Sequence, residues 1–187
     1  MKRAVFLDRD GTLIEEKEYL RSPDQVILFP GVGRALRKLE AGGYLLVLIT
    51  NQSGVGRGYF TMEDVKQVHE RLERYLAQDE VTLAKIYIAP EAPGQPSRGR
   101  KPSPQFLLDA RDELGIDLSQ SFMIGDKLID LECGRNAGVK KCILVRTGYG
   151  GTVEREESQG VNRCEALVLD GIPAAADWIL KVPAQTW

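Results

Sequence analysis

Two aspartates stand two residues apart in Asp8-Arg9-Asp10-Gly11-Thr12, directly after the short apolar run Arg3–Leu7. Side chains at i and i+2 of an extended chain share a side, so both carboxylates can face one substrate from the same wall. Two carboxylates with separate tasks suit phosphoryl transfer through a covalent intermediate. One attacks phosphorus; the other protonates the leaving oxygen and then activates water. Asp8 fits the first task and Asp10 the second, while Gly11 releases the chain into a tight turn. The plain alternative is an Asp-Gly turn with Asp8 capping a helix or loop. The DxD spacing alone is a weak signal; DxDGT after a buried strand favours the chemistry.

A carboxylate attacking a phosphate dianion meets charge repulsion, which a bridging divalent cation relieves. Magnesium prefers oxygen ligands and keeps several waters, so one or two carboxylates suffice. Asp126, in Gly125-Asp126-Lys127-Leu128-Ile129-Asp130, is the natural second carboxylate. Asp130, one helical turn further on, would bind a metal-bound water, orient Lys127 or simply complement a helix N-terminus. Thr50-Asn51-Gln52-Ser53 offers a hydroxyl and backbone N–H groups to phosphoryl oxygens. Lys101, in Arg98-Gly99-Arg100-Lys101-Pro102, would neutralise the same oxygens as a point charge, with Arg100 free to contact the substrate body. A basic loop is otherwise ordinary solvated surface.

These residues need a scaffold that brings distant segments together. Apolar, β-rich runs at residues 3–7, 44–49, 81–89, 121–124 and 142–145 read as strands. Between them, residues 30–41, 61–78, 104–114 and 129–137 read as helices, with Thr61 as an N-cap and Asp64 three residues on. Residues 15–29 could form a β-hairpin flap, residues 90–104 must be loop, and a short helix is expected near residues 174–180. Strands alternating with helices imply an α/β fold: a doubly wound, mostly parallel sheet. Such sheets bind ligands beyond the carboxyl ends of their strands. Asp8 and Asp10, Thr50 and Asn51, and Asp126 and Lys127 all fall at that edge. No interval is long enough for a large cap, so residues 1–187 read as one capless domain with an open site.

Composition sets the outer bounds. The formal net charge is -2, which gives no general reason to expect a nucleic-acid or membrane partner. Cys133, Cys142 and Cys164 form no CxxC pair, against both a disulfide framework and a cysteine zinc site. No run approaches a membrane span and the N-terminus lacks a signal-peptide pattern, so a reducing cytoplasm is the default. The one histidine, His69, lies in an amphipathic helix and reads as exposed or internally satisfied. No interface stripe stands out, which leans to a monomer.

DRDGT at 8–12, Thr50, Lys101 and GDKLID at 125–130 occur in the order that resembles the haloacid dehalogenase superfamily of phosphatases. TNQSGVGRGYFT at 50–61, RKPSP at 100–104 and LVRTGYG at 144–150 resemble, more narrowly, its histidinol-phosphatase-like subfamily. The resemblance implies a magnesium-dependent enzyme with Asp8 as nucleophile and Asp10 as general acid/base. Metal would be held by Asp8, the Asp10 backbone carbonyl and Asp126, and Thr50 and Lys101 would stabilise the transferring group. Arg57, Arg100 and Lys127 would contact substrate or phosphate, and Glu16, Lys17, Glu18 and Tyr19 match the position of a substrate-contacting flap. The implied substrate is a small phosphorylated sugar, with the 7-phosphate of a heptose 1,7-bisphosphate as the expected target.

Many members of that subfamily carry a zinc loop with a CxH pair and a later CxC before RKP. Here the corresponding residues are Ala89, Glu91, Ser97 and Gly99, so no zinc is expected, and Pro90, Pro93 and Pro96 are the candidates for shaping the loop. Histidinol phosphate and a polynucleotide 3′-phosphate are rival substrates on the same scaffold; the net charge disfavours the second. A phospho-accepting signalling module is the rival outside catalysis. Such a module must keep its acyl phosphate, so Asp10 beside Asp8 favours turnover.

Overall fold

The computed structural model describes residues 1–158 and 166–183; Cys164 lies outside them. In chain order the elements are β1 (Arg3–Leu7), α1 (Val32–Ala41), β2 (Tyr44–Asn51), the one-turn α2 (Ser53–Gly56), α3 (Met62–Ala77) and β3 (Lys85–Ala89). There follow α4 (Gln105–Leu114), β4 (Phe122–Gly125), α5 (Leu128–Ala137), β5 (Lys141–Val145), α6 (Gly150–Ser158), β6 (Leu167–Leu169) and α7 (Ile172–Ile179). The six strands among the described residues are all parallel, in the order β3-β2-β1-β4-β5-β6.

The alternation along β1 explains why the sheet is covered on both sides. Val5 and Leu7 enter a core with residues of α1, α3 and α7, such as Leu36, Leu72 and Ile179. Ala4 and Phe6 enter the opposite core with residues of α4 and α5, such as Leu107 and Leu131. A strand buried on both faces must be apolar at every position, which is the pattern of RAVFL. The strand order runs outward from β1 to β3 on one side and from β4 to β6 on the other. The order in which strands are added therefore reverses between β1 and β4, and a crevice opens at their carboxyl ends. Asp8 follows β1 and Asp126 follows β4, on the two sides of this crevice.

Several local expectations need correction. Residues 15–29 do not form a hairpin. They are loop, held by a single antiparallel bridge between Ile14 and Leu28, with a 3₁₀ turn at Pro23–Gln25. The charged run from Glu15 to Glu18 has no apolar alternation to seat against a partner, and Pro23 cannot donate to a ladder. The third strand starts at Lys85 rather than residue 81. Glu80 turns the chain through a left-handed φ of 57°, and Val81 and Leu83 bury as loop residues. Helix α6 was not expected, because its Gly150-Gly151 opening reads as loop. The Thr61 cap is present: its side chain accepts from Asp64 N and Asp64 Oδ2 accepts from Thr61 N.

Candidate active site

Asp8 is the first residue beyond β1, and its N–H donates to Ile124 O on β4 (3.0 Å). That bond fixes its side chain over the switch point. Lys101 arrives from the loop after β3 and is fully enclosed. Its Nζ lies 2.5 Å from Asp8 Oδ1, 2.6 Å from Asp130 Oδ1 and 2.9 Å from Ile49 O. Asn51 pins the Lys101 backbone from both sides, accepting from its N–H (3.0 Å) and donating to its carbonyl (3.1 Å).

Asp126 is fully buried. Its Oδ2 accepts from Tyr149 N (2.8 Å), whereas Oδ1 has no protein partner. The close approach of the Gly148-Tyr149 turn makes this bond possible. Gly148 has φ 57° and Gly11 has φ 80°, and a Cβ on either would overlap the Asp126 carboxylate. Asp130 Oδ2 accepts from Lys127 N at the start of α5 (3.0 Å), so it both caps the helix and pairs with Lys101.

Asp8, Asp126 and Asp130 can each offer an oxygen within 4.8 Å of the others. Burial pushes the Asp8 carboxyl up to about 6, with Lys101 pulling against it. Burial also raises Asp126, to about 8, with the Asp8 charge adding to the shift. For Lys101, burial opposes the charge, yet Asp130 and Asp8 outweigh it and hold the ammonium above its ordinary range. Three buried carboxylates around one lysine leave an excess of negative charge, and the orphan Asp126 Oδ1 is a buried acceptor that calls for a partner. Hard carboxylate oxygens of this kind fit magnesium.

Asp10 forms part of the floor of an open cleft of about 370 Å³. Glu16, Glu18, Tyr19, Asn51, Gln52, Ser53 and Lys127 line the same cleft. Lys127 Nζ pairs with Glu16 Oε2 (2.9 Å) and sits 4.7 Å from the centroid of the Tyr149 ring. Burial works against its charge, but Asp126, Asp8 and Glu16 together raise its pKa. Thr50 is buried beneath, its Oγ1 accepting from Gln52 Nε2 (2.7 Å).

The structure spreads the remaining expected residues over the rim. Lys17 is exposed and pairs with Glu15 (2.7 Å) instead of lining the cleft. Arg57 is exposed and Arg100 half-buried, and neither is on the cleft wall. Arg100 Nη1 donates to Glu91 O (2.9 Å). Burial lowers its pKa, the Glu91 charge pulls against that, and the charge of Arg57 adds to the lowering. In the loop after β3, Ser97 Oγ donates to Glu91 Oε2 (2.7 Å) and accepts from Arg100 N (3.1 Å). Gln95 Oε1 accepts from Ala92 N (2.7 Å). Side-chain hydrogen bonds therefore help shape it.

Sequence reasoning missed Arg9 and the role of His69. Arg9 is fully buried, and its guanidinium grips Asp10 through Nε to Oδ2 (3.0 Å) and Nη2 to Oδ1 (3.1 Å). Its Nη2 also donates to Gln52 Oε1 (3.0 Å), and Nη1 lies 3.0 Å from His69 Nε2. His69 is buried and satisfied rather than exposed. Its spacing from Val65, Leu72 and Leu76 places it on the buried stripe of α3, a signal present in the sequence.

A parallel sheet that gathers a carboxylate pair, a lysine and two further carboxylates at its switch point defines an α/β enzyme suited to phosphoryl transfer. Residues 99–175 match the HAD-hydrolase-like family. The D-glycero-beta-D-manno-heptose-1,7-bisphosphate 7-phosphatase of Haemophilus ducreyi is 45% identical over 163 residues, covering 83% of this chain and 90% of that protein. The Escherichia coli K12 protein of the same name is 39% identical over 185 residues, covering 95% and 88%. The crystal structure of D,D-heptose 1,7-bisphosphate phosphatase from B. bronchiseptica, complexed with magnesium and phosphate, superposes with a TM-score of 0.86 at 32% identity, covering 97% of this chain and 99% of that one. The chain belongs to the haloacid dehalogenase superfamily, and it is a phosphatase. No helix among the described residues is long and apolar enough to cross a membrane.

Proposed function

We propose that this phosphatase removes the 7-phosphate of D-glycero-D-manno-heptose 1,7-bisphosphate through an aspartyl-phosphate on Asp8. The observation that carries the mechanism is the buried cluster of Asp8, Lys101, Asp126 and Asp130, with one Asp126 oxygen unpartnered. The names of the relatives support the substrate.

An Asp8 carboxylate oxygen forms a bond to phosphorus as the bond from phosphorus to the sugar oxygen breaks. Asp10, protonated at this stage, gives its proton to that leaving oxygen. In the second step the Asp10 carboxylate takes a proton from water. The water oxygen bonds to phosphorus, the bond to Asp8 breaks, and inorganic phosphate leaves with Asp10 protonated again. The Lys101 ammonium offsets charge on the phosphoryl oxygens, and the Thr50 hydroxyl, whose oxygen already accepts from Gln52, is free to donate to them. Magnesium, held by Asp8, the Asp10 carbonyl and Asp126, would lessen the repulsion between nucleophile and phosphate.

The rim supports a doubly anionic substrate. Arg57 is exposed, and Arg100, which feels the Glu91 and Arg57 charges, donates to Glu91 O rather than to a carboxylate oxygen. Together with Lys127, which is paired with Glu16, they bring three cations to the rim, two more than one phosphate needs. Histidinol phosphate carries an amine that these groups would repel. Turnover of both heptose bisphosphate anomers and of histidinol phosphate, measured side by side with magnesium, tests the assignment; preference for histidinol phosphate would overturn it.

We further infer a magnesium enzyme without zinc. Ala89, Glu91, Ser97 and Gly99 are not a zinc ligand set, and Glu91 and Ser97 are already bonded to each other. Metal analysis of protein purified without chelator should find no stoichiometric zinc. About one zinc per chain would contradict this reading. Cys133 and Cys142 are buried, with their Sγ atoms donating to Ser103 O (3.1 Å) and Leu131 O (3.3 Å), which suits a reducing cytoplasm.

A further inference from the structure

Asp10 has a short side chain at the floor of an open cleft, where its carboxylate is 13% exposed. Nothing in a DxDGT turn by itself holds that carboxylate toward a leaving group. The hold comes from below. Arg9 Nε and Nη2 grip both Asp10 oxygens, and Gln52 Nε2 adds a third bond to Oδ2 (2.9 Å). A guanidinium is planar and rigid, so the direction of this fork depends on its other contacts: Nη2 also donates to Gln52 Oε1 (3.0 Å), and the far end needs a partner of its own. That end, Nη1, meets His69 Nε2 at 3.0 Å in a fully enclosed contact.

Arginine can only donate, so Nε2 of His69 must accept, and the imidazole is the neutral tautomer with its proton on Nδ1. His69 is fixed in turn. It sits on the buried stripe of α3 with Val65, Val68, Leu72 and Leu76, and the Thr61–Asp64 capping box sets where that helix begins. A chain of rigid contacts thus runs from the helix that precedes the edge strand to the cleft floor.

We propose that His69 is a positioning residue for the proton-transfer step: by orienting the Arg9 fork it holds the Asp10 carboxylate where it can serve the leaving oxygen. The inference rests on the reading of Asp10 as general acid/base. It assigns a task to the only histidine in the chain, a buried residue that does not line the cleft.

Leaving-group dependence separates positioning from mere structural support. The quantity to measure is kcat/KM, which reports the steps through formation of the aspartyl-phosphate. Substrates are 2,4-dinitrophenyl phosphate, whose leaving group needs little protonation, and phenyl phosphate, whose leaving group needs much. In His69→Ala, kcat/KM for phenyl phosphate should fall roughly tenfold further than for the dinitrophenyl ester, the scale expected when a catalytic group is misplaced by a fraction of an ångström. His69→Gln, whose amide oxygen can accept from Arg9, should restore both to within about twofold. If His69→Ala does not fold, His69→Asn, with a shorter amide, replaces it. Equal losses for the two esters, no loss for either, or failure of glutamine to rescue would each overturn the proposal. Asp10→Asn is the companion variant. If it shows selectivity for the good leaving group while His69→Ala does not, the positioning inference alone fails. If Asp10→Asn lowers both substrates equally, the acid/base assignment fails and takes the inference with it.

Discussion

Asp8, Lys101, Asp126 and Asp130 are each at most 6% exposed, and fixed groups hold them: Lys101 between two carboxylates, Asp126 on a backbone N–H, Asp130 on the first turn of α5. At the rim, Tyr19 and Tyr59 are 41% and 50% exposed and touch edge to face, with ring centroids 4.7 Å apart. Arg57, close to Tyr59 in sequence, stands in solvent, and Lys17 pairs with Glu15. The floor is built on strand ends and the rim on loops. Substitutions in the floor should therefore decide whether any substrate turns over, and substitutions in the rim which one does.

The largest effect tests the floor directly. Asp8→Asn should lower kcat by on the order of 10⁴-fold or more for every phosphate ester, sugar or aryl, because an amide is no nucleophile at phosphorus. Circular dichroism should show the fold intact. Substantial turnover by a folded Asp8→Asn protein would remove Asp8 as nucleophile. Next comes the cradle around Asp126. Gly148→Ala puts a Cβ against the Asp126 carboxylate at a left-handed φ of 57°. Such changes to the groups that orient a metal ligand cost about 10–100-fold in metal affinity. The magnesium concentration for half-maximal activity, and the magnesium-dependent rise in Tm, should both shift accordingly. An unchanged magnesium response in a folded variant would mean that the Tyr149 N–H does not orient Asp126.

The floor was far more legible in the sequence than the rim, and the reason is periodicity. A strand buried on both faces must be wholly apolar, so RAVFL announces itself, and whatever follows it lies at the sheet edge. That logic placed Asp8, Thr50 and Asp126 without knowledge of any contact. It could not place Arg9, because an arginine beside two aspartates reads as exposed charge until a buried histidine is known to receive it. The Glu15–Glu18 run illustrates the opposite failure. Its course is set by one bridge, Ile14 to Leu28, and by a left-handed residue, Glu18, at φ 53°, neither of which leaves a repeating pattern. Tyr149 was missed as well, since it acts through its backbone N–H, which carries no side-chain signature.

A smaller effect tests the rim. Arg100→Ala should reduce kcat/KM for the heptose bisphosphate by about tenfold, equivalent to roughly 1.4 kcal/mol of transition-state binding, and leave a small aryl phosphate nearly unchanged. Equal losses for both would move Arg100 into the phosphoryl-transfer machinery and blur the line between floor and rim. No loss for either would leave it as ordinary solvated charge.

The smallest effect concerns what the buried network costs. Burial, and then the charge of Arg9, lower the His69 pKa from 6.5 to about 3. Below pH 6.5 the unfolded chain takes up a proton at this position that the folded protein refuses. Stability from this group is thus complete above about pH 6.5 and declines as the pH falls toward 3, by about 1.4 kcal/mol per pH unit. Glutamine at position 69 can accept the same hydrogen bond from Arg9 but has no proton to gain. Denaturant unfolding of the native chain and of His69→Gln should therefore diverge on acidification. Between pH 7.5 and pH 5 the native chain should lose about 2 kcal/mol more than the variant. Carboxylates elsewhere, such as Asp109 held low by Arg98, contribute equally to both proteins and cancel in the difference. Parallel stability profiles would mean that the folded protein accommodates a protonated His69, and that the support beneath Asp10 is looser than its geometry indicates.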